Sequence, residues 1–231
     1  MTTTLITGAN KGLGLQTARQ LIAAGHTVYL GARDARRGRE AADLVGARLL
    51  LIDVTDDDSV VTAAANVREQ VGHLDVLVNN AGIAAPRRSP GDVTGPDIQR
   101  VFETNVFGIV RVMHAFLPLL EASDAAVVVN VSSGMGSLTI TTDPERFEST
   151  LPSLAYSSSK SAVNMLTSQY AKAYPALRIN AVDPGYTATD LNGHRGTQSV
   201  EEGAAIIVRL STIGVGGPTG GYFDSNGTVP W

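Results

Sequence analysis

Tyr156 and Lys160 are the residues whose types and spacing most directly suggest chemistry in this sequence. They lie four apart in the segment 156–174, which predicts a helix. Residues four apart differ by about 40° around a helix axis, so both side chains project from one face. A phenol has a pKa of about 10, and a cation at roughly 4 Å in an effective dielectric near 20 contributes about 4 kcal/mol. The spacing therefore predicts a phenol that titrates near neutrality, unless the two residues form only a surface pair.

Hydroxyl groups follow a buried strand nearby in the sequence. The apolar run 125–131 predicts a strand covered on both faces, and it ends at Ser132 and Ser133. The carboxyl ends of parallel strands line the ligand crevice of an open α/β sheet. One of these hydroxyls could act beside the phenol, although Ser-Ser-Gly is also common in ordinary turns.

A glycine-rich turn near the start of the chain joins a short strand to a helix that we predict from about Gly14. Gly8, Gly12 and Gly14 have a Gly-x-x-x-Gly-x-Gly spacing. Glycines permit positive φ and close approach, so a pyrophosphate could lie against the N–H groups at the helix start. The alternative is an ordinary strand-to-helix turn without a ligand.

Charged residues beside this turn indicate which dinucleotide it would hold. An acid at the tip of the second strand would bind the ribose of NAD, whereas an arginine suits a 2′-phosphate. Here Ala32 is followed by Arg33, while Asp34 is placed to cap the next helix. Lys11 could add a second cation, so the sequence favours NADPH unless Arg33 belongs to a solvated basic face.

Three further polar positions fall at or near this crevice. Asp53 follows a strand and could accept from the amine of adenine or, equally, cap a helix. The segment 79–82, Asn-Asn-Ala-Gly, has small residues that allow close approach of a ligand. Asn105 lies among apolar residues in the middle of a predicted helix, where a buried amide must be hydrogen-bonded.

The elements that position these residues alternate along the chain. Apolar runs predict about seven strands, and stripes with a period of 3.6 residues predict the helices between them. We expect an α/β fold with a single domain spanning 1–231, a doubly wound, Rossmann-type parallel β-sheet with helices on both faces. The polar segment 189–205 has the composition of a lid over the substrate.

Bulk composition excludes several classes of function. A net charge of -4 offers no basic face for nucleic acid, and the absence of cysteine excludes thiolate catalysis. The four histidines lack metal-ligand spacing, so we expect no metal. A strand is predicted within a few residues of Met1 and no apolar run reaches about 18 residues, which favours a cytoplasmic protein with no membrane partner.

Taken together, these motifs resemble the short-chain dehydrogenase/reductase family over nearly the whole chain. The matching pieces are Thr7-Gly8-x-x-x-Gly12-x-Gly14, Asn79-Asn80-Ala81-Gly82, Asn105, Ser133, Tyr156-x-x-x-Lys160 and Asp183-Pro184-Gly185. Thr189-Asp190, Glu201-Glu202-Gly203 and Trp231 look more particularly like the NADPH-dependent carbonyl reductases of that family.

The resemblance implies roles for these residues. Tyr156 would donate a proton to the substrate carbonyl, Ser133 rather than Ser132 would hydrogen-bond it, and Lys160 would lower the pKa of the phenol and hold the nicotinamide ribose. Asn105 would anchor a water that links Lys160 to solvent. Asp53 would face adenine, Asn79 and Ala81 the ribose region, and Pro184, Gly185, Thr187 and Thr189 the nicotinamide end. The cofactor-binding set also includes Asn10, Leu13, Val54 and Gly82.

The segment between Ser133 and Tyr156 departs from the family pattern. It is longer than the common short form and shorter than that of the animal carbonyl reductases. Such an insert covers a tetramer surface in those enzymes, so we expect a monomer, with a dimer as the alternative. The sequence predicts an NADPH-dependent reductase of a small ketone or aldehyde. The alternatives are an NAD(P)-dependent dehydrogenase that oxidises an alcohol and a non-catalytic nucleotide-binding sensor.

Overall fold

A computed structural model describes residues 1–85 and 88–231 of the chain. In these residues eight strands form one sheet in the order β3-β2-β1-β4-β5-β6-β7-β8. All neighbouring pairs are parallel except β7 and β8. The strands are β1 Thr3–Ile6, β2 Thr27–Ala32, β3 Arg48–Leu51, β4 Val76–Asn79, β5 Val127–Val131, β6 Arg178–Val182, β7 Tyr222–Asp224 and β8 Gly227–Thr228.

Helices connect the parallel strands, as right-handed crossovers between parallel neighbours require. They are α1 Gly12–Ala23, α2 Ala35–Val45, α3 Asp57–Gln70, α4 Gly95–Phe102, α5 Gly108–Glu121, α6 Leu138–Thr142, α7 Leu154–Ala173 and α8 Val200–Ser211. In the described part of the chain, none of these helices is both long and apolar enough to span a membrane.

Alternating side chains of the strands build a hydrophobic core on each face of the sheet. Leu5 of β1 packs with residues of α3, α5 and α7, and its neighbour Ile6 packs with residues of α1, α2 and α8. This alternation follows from the two-residue period of a strand. The prediction of a single, doubly wound sheet with helices on both faces is confirmed.

The strand order reverses between β1 and β4, which extend the sheet in opposite directions. A crevice forms outside the carboxyl ends of the strands at such a point. The loops that carry the glycine turn and the segment 79–82 therefore meet there.

Several boundaries differ from the sequence-based predictions. β8 is an eighth, antiparallel strand of two residues, too short to leave a periodic signal. The long helix predicted around Asn105 is interrupted by a π-helical turn, Glu103–Phe107, between α4 and α5. α8 begins at Val200, within the predicted lid, because Ser199 and Glu202 form a capping box.

Candidate active site

A cleft of about 1100 Å³ lies at the carboxyl edge of the sheet. All of the predicted site residues line it except Asn79 and Asn105. The glycine turn forms one part of its wall, and Ser133, Tyr156 and Lys160 form another. The topology therefore brings the predicted phosphate site and the predicted reacting groups into one continuous space.

The glycine turn is shaped by backbone conformations that other residues rarely adopt. Gly8 and Gly12 have φ of +63° and +55°. A methyl group on Gly8 would lie 2.9 Å from Ala81 Cα, so the turn also packs directly against the loop after β4. α1 begins at Gly12, and in the described structure no side chain caps it. Its first N–H groups are thus free to bind a phosphate, which fits a dinucleotide in this cleft.

Thr7 and Asn80 hold this turn in place, and sequence reasoning gave neither of them a role. The Thr7 hydroxyl accepts from the backbone N–H groups of Asn80 and Ala81, both at 3.0 Å. The Asn80 amide donates to the carbonyls of Thr7 and Gly8 at 2.8 and 3.1 Å. These bonds tie the end of β1 to the end of β4.

Asn79 does not reach the cleft. Its side chain is 3 % exposed and donates to Asn130 Oδ1 at 2.8 Å inside the core. Asn79 is the last residue of β4, and successive side chains leave a strand on opposite faces. Asn80, Ala81 and Gly82 line the cleft instead.

Arg33 lies at the tip of β2, exposed and lining the cleft. Within residues 1–85 and 88–231 its guanidinium has no hydrogen bond or ion pair.

Asp34 caps α2 by accepting from the backbone N–H of Arg37 at 2.8 Å, as the sequence predicts. That hydrogen bond, more than any nearby charge, lowers the pKa of Asp34 below its usual value.

Lys11 is paired across the cleft rather than free. Its ammonium is 2.7 Å from Asp190 Oδ2, and His194 Nε2 is 2.8 Å from the other carboxylate oxygen. The hydrogen bond from Lys11 is the main reason that the pKa of Asp190 falls below its usual value. This ion pair joins the glycine turn to the segment that was predicted to be a lid.

Asp53 lies at the cleft, but it does not cap α3. Its carboxylate accepts from the backbone N–H and the hydroxyl of Thr55 at 3.0 and 2.7 Å. Asp56 is the cap, because it accepts from the backbone N–H of Ser59. The capping alternative for Asp53 is therefore wrong. Val54 also lines the cleft and packs against Gly108.

Tyr156 and Lys160 project from one face of α7, as predicted. Lys160 Nζ is 5.5 Å from the centroid of the Tyr156 ring and donates to the carbonyl of Val131 at 2.8 Å. That bond ties α7 to the end of β5, directly before the two serines. Ser132 is buried and donates to Asn164 Oδ1 at 2.6 Å, whereas Ser133 lines the cleft with Tyr156 and accepts from the backbone N–H of Met135 at 3.3 Å. The geometry thus favours Ser133 as the hydroxyl of the site.

The predicted pKa of Tyr156 is wrong in this structure. Desolvation raises the pKa of its phenol to about 12, although the hydroxyl of Ser133 acts in the opposite direction. Burial likewise lowers the pKa of Lys160 to about 8. Spacing along a helix reports which side chains are neighbours but not how much water each has lost, and desolvation exceeds the charge effect here.

Asn105 lies in the π-helical turn, 1 % exposed, with its amide fully bonded. It accepts from Ile83 N–H at 2.8 Å and donates to the Ile83 carbonyl and to Ser159 Oγ, both at 3.0 Å. A methyl group on Gly82 would lie 3.4 Å from Asn105 Oδ1 and 3.7 Å from Lys160 Nζ. Asn105 is therefore a close neighbour of Lys160 behind the cleft wall.

The loop after β6 brings Pro184, Gly185, Thr187 and Thr189 to the cleft. Gln198 holds this loop, because its amide donates to Thr187 Oγ1 at 2.8 Å and to the carbonyl of Pro184. Asn192 donates to the carbonyl of Thr187 at 2.8 Å. The predicted lid is thus anchored at several points in this conformation.

The segment between Ser133 and Tyr156 forms the remaining wall. It contains α6 and a 3-10 turn, Phe147–Thr150. Phe147 contacts Tyr186 of the loop after β6, with ring centroids 5.9 Å apart. Glu148 and Leu151 line the cleft beside Ser133.

Known proteins share both the sequence pattern and the fold. The sequence profile of the family described as short chain dehydrogenase matches residues 2–199. Short-chain dehydrogenase/reductase 1 of Saponaria officinalis is 33 % identical over 288 residues, covering 98 % of this chain and 95 % of that protein. (+)-Neomenthol dehydrogenase of Arabidopsis thaliana is 34 % identical over 268 residues, covering 90 % of each.

A solved structure gives the same result in three dimensions. NADPH-bound carbonyl reductase from chicken fatty liver superposes with a TM-score of 0.88 at 29 % identity, covering 99 % of this chain and 98 % of that one. The resemblance drawn from the motifs is confirmed. The chain belongs to the short-chain dehydrogenase/reductase family of oxidoreductases.

Proposed function

We propose that this protein reduces a ketone or aldehyde to an alcohol with NADPH, and that Tyr156 donates the proton. The observation that carries the proposal is the single cleft in which a glycine turn, an arginine and a Ser-Tyr-Lys group lie together. The chicken carbonyl reductase with NADPH bound has the same fold, which supports the choice of cofactor.

The residues of the cleft suit a phosphorylated dinucleotide. The free N–H groups at the start of α1 and the close packing of Gly8 would hold the pyrophosphate. Arg33 would bind the 2′-phosphate, because its guanidinium faces the cleft and is not paired with another described residue. Asp53, Ala81, Pro184 and Thr187 would line the rest of the site. When bound, the cofactor supplies the hydride that reduces the carbonyl carbon.

Tyr156 is suited to give a proton to the carbonyl oxygen. The phenol is protonated at neutral pH, which is the form that a general acid needs, but burial raises its pKa to about 12, so proton donation requires stabilisation of the phenolate that forms. Ser133, which lines the cleft beside the same phenol, would donate a hydrogen bond to the carbonyl and orient it. The Lys160 ammonium would stabilise the negative charge that appears on the phenol as the proton leaves.

Asn105, which lies behind the cleft wall, would help to return a proton to Lys160 and the phenol after each turnover. Its amide is occupied by Ile83 and Ser159, so its side chain holds the loop after β4 against the second turn of α7. We propose that Asn105 keeps Lys160 and Gly82 at their observed spacing and so preserves room for a water that links Lys160 to solvent.

The test is NADPH consumption with a panel of ketones, aldehydes, quinones and keto esters, repeated with NADH. We expect turnover with NADPH and formation of the alcohol.

Arg33→Ala should lower the preference for NADPH over NADH by roughly tenfold to a hundredfold, because a charged hydrogen bond to phosphate is lost. Arg39→Ala, an exposed arginine of α2 that does not line the cleft, is the matched control. An unchanged preference in Arg33→Ala would remove Arg33 from the site, and no reduction of any carbonyl would refute the function.

A further inference from the structure

The wall formed by segment 143–153 carries a carboxylate close to the reacting groups. Glu148 lies in the 3-10 turn of this segment and lines the cleft with Ser133 and Tyr156. A methyl group on Gly134, the residue after Ser133, would lie 3.2 Å from Glu148 Oε1. The carboxylate therefore sits directly beside the loop that holds the substrate carbonyl in the proposed function, on which this inference rests.

Glu148 lacks the hydrogen bonds that a largely buried carboxylate usually has. Its side chain is 23 % exposed, and the described residues donate no hydrogen bond to it. Among the described residues its one ion pair is with Arg146, whose Nε is 3.6 Å from Oε2 and whose side chain is half exposed. That distance exceeds hydrogen-bond length, so the carboxylate keeps its capacity to accept. A partly desolvated charge in this state favours a cationic partner.

The charged groups near Glu148 have other partners and do not donate a hydrogen bond to its carboxylate. Asp183 also approaches Gly134, with Oδ2 at 3.0 Å from the same methyl position, and accepts from the backbone N–H of Gly185 at 2.9 Å. Burial raises the pKa of Asp183 above its usual value, and Glu148 contributes to the rise. Lys160 donates to Val131, and Arg195 donates to the carbonyl of Asn192. The carboxylate of Glu148 can therefore still accept a hydrogen bond from a ligand in the cleft.

The surroundings of Glu148 are apolar and aromatic. Phe147 and Tyr186 both line the cleft and contact each other, and Met135 and Leu151 line it as well. We propose that Glu148 selects carbonyl substrates that carry a positive charge on an apolar or aromatic body. The aromatic pair would pack on the body of the substrate, and the carboxylate would bind its cationic group.

Two acetophenones of nearly equal shape test the proposal. 4′-(Trimethylammonio)acetophenone carries a permanent cation, and 4′-tert-butylacetophenone is its neutral counterpart. The ratio of their kcat/KM values is measured for the wild type, for Glu148→Gln and for Glu145→Gln. Glu145 is an exposed glutamate of the same segment that does not line the cleft, so its variant should keep the wild-type ratio. Since each ratio comes from one preparation, any loss of folded protein cancels.

We expect the ratio to fall by about tenfold in Glu148→Gln, because one partly desolvated charge pair is lost. Glu148→Lys should reverse the selection, so that 4-acetylbenzenesulfonate becomes preferred over the cationic ketone. An unchanged ratio in Glu148→Gln, or an equal fall in Glu145→Gln, would overturn the proposal.

Failure of the proposed reduction gives a different pattern. If the wild type consumes NADPH with none of these ketones, their binding is measured by calorimetry with the wild type and Glu148→Gln. Tighter binding of the cationic ketone that disappears in the variant would support the role of Glu148, whatever the outcome of the carbonyl panel that tests the proposed reduction. Equal binding of both ketones to both proteins would refute the role of Glu148 as well.

Discussion

Replacing Lys160 with methionine should stabilise the ligand-free protein while it abolishes turnover. Burial lowers the pKa of Lys160 from its ordinary 10.5 to about 8. That difference corresponds to a cost of about 3 kcal/mol for holding the charged form in the folded chain. Methionine fills a similar volume without a charge, but it loses the hydrogen bond to Val131, worth about 1 kcal/mol. We expect the free energy of unfolding to rise by about 2 kcal/mol at pH 7.

The pH dependence of this gain follows from the same pKa. Below pH 8 the lysine is protonated in both the folded and the unfolded chain, so the full cost of the buried charge is present. Between pH 8 and pH 10.5 the folded chain has released the proton and the unfolded chain has not, so the stability of the wild type rises with pH. The advantage of the variant should therefore shrink as pH rises through this window and be almost gone near pH 9.5, because about 1.5 pH units at about 1.4 kcal/mol each offset the whole gain of about 2 kcal/mol.

The assay is urea unfolding followed by circular dichroism at pH 7 and pH 9.5, with the difference between variant and wild type taken at each pH. Lys172→Met is the matched control, because Lys172 is an exposed lysine on the same helix. A Lys160→Met protein that is less stable than the wild type at pH 7 would refute the reasoning. So would a gain that stays constant between the two pH values.

Three further variants test how the site is held together. Asn105→Ala should lower the free energy of unfolding by about 3 kcal/mol in urea titration, because it leaves both polar groups of Ile83 without partners; a change below about 1 kcal/mol would contradict this. Gly136→Ala should reduce kcat and thermal stability together, since the new methyl group would lie 2.7 Å from the backbone of Lys160; normal values of both would refute the packing argument. Asp190→Asn should strengthen NADPH binding about threefold at low salt, by freeing Lys11 to face the phosphate; weaker binding in a fluorescence titration would show that the ion pair itself is needed.

Sequence patterns anticipated the elements that depend on periodicity and turn chemistry. The sheet, the cap at Asp34 and the shared face of Tyr156 and Lys160 follow from rules about local spacing, and the structure has all three. The reversal at β1 and β4 then explains why residues far apart in sequence line one cleft. Glycines at positive φ in the first turn complete that part of the site.

What sequence reasoning missed depends on burial and on side-chain direction. Asn79 and Asn80 look equivalent in the sequence, yet Asn79 bonds to Asn130 in the core, whereas Asn80 bonds to Thr7 at the glycine turn beside the cleft. The alternation of side chains at the end of β4 could have distinguished them. The pKa of Tyr156 depends on desolvation that spacing does not report. Glu148 gave no signal, because its place beside Ser133 is created by the fold of segment 143–153.

The most direct test of the account is a single-turnover measurement with Tyr156→Phe and a ketone that the wild type reduces. The phenyl ring keeps the packing against Lys160 but has no proton to give. We expect reduction to slow by about a thousandfold or more, while the dissociation constant for NADPH stays within about twofold of the wild type. Reduction within about tenfold of the wild-type rate would contradict the assignment of Tyr156 as the proton donor.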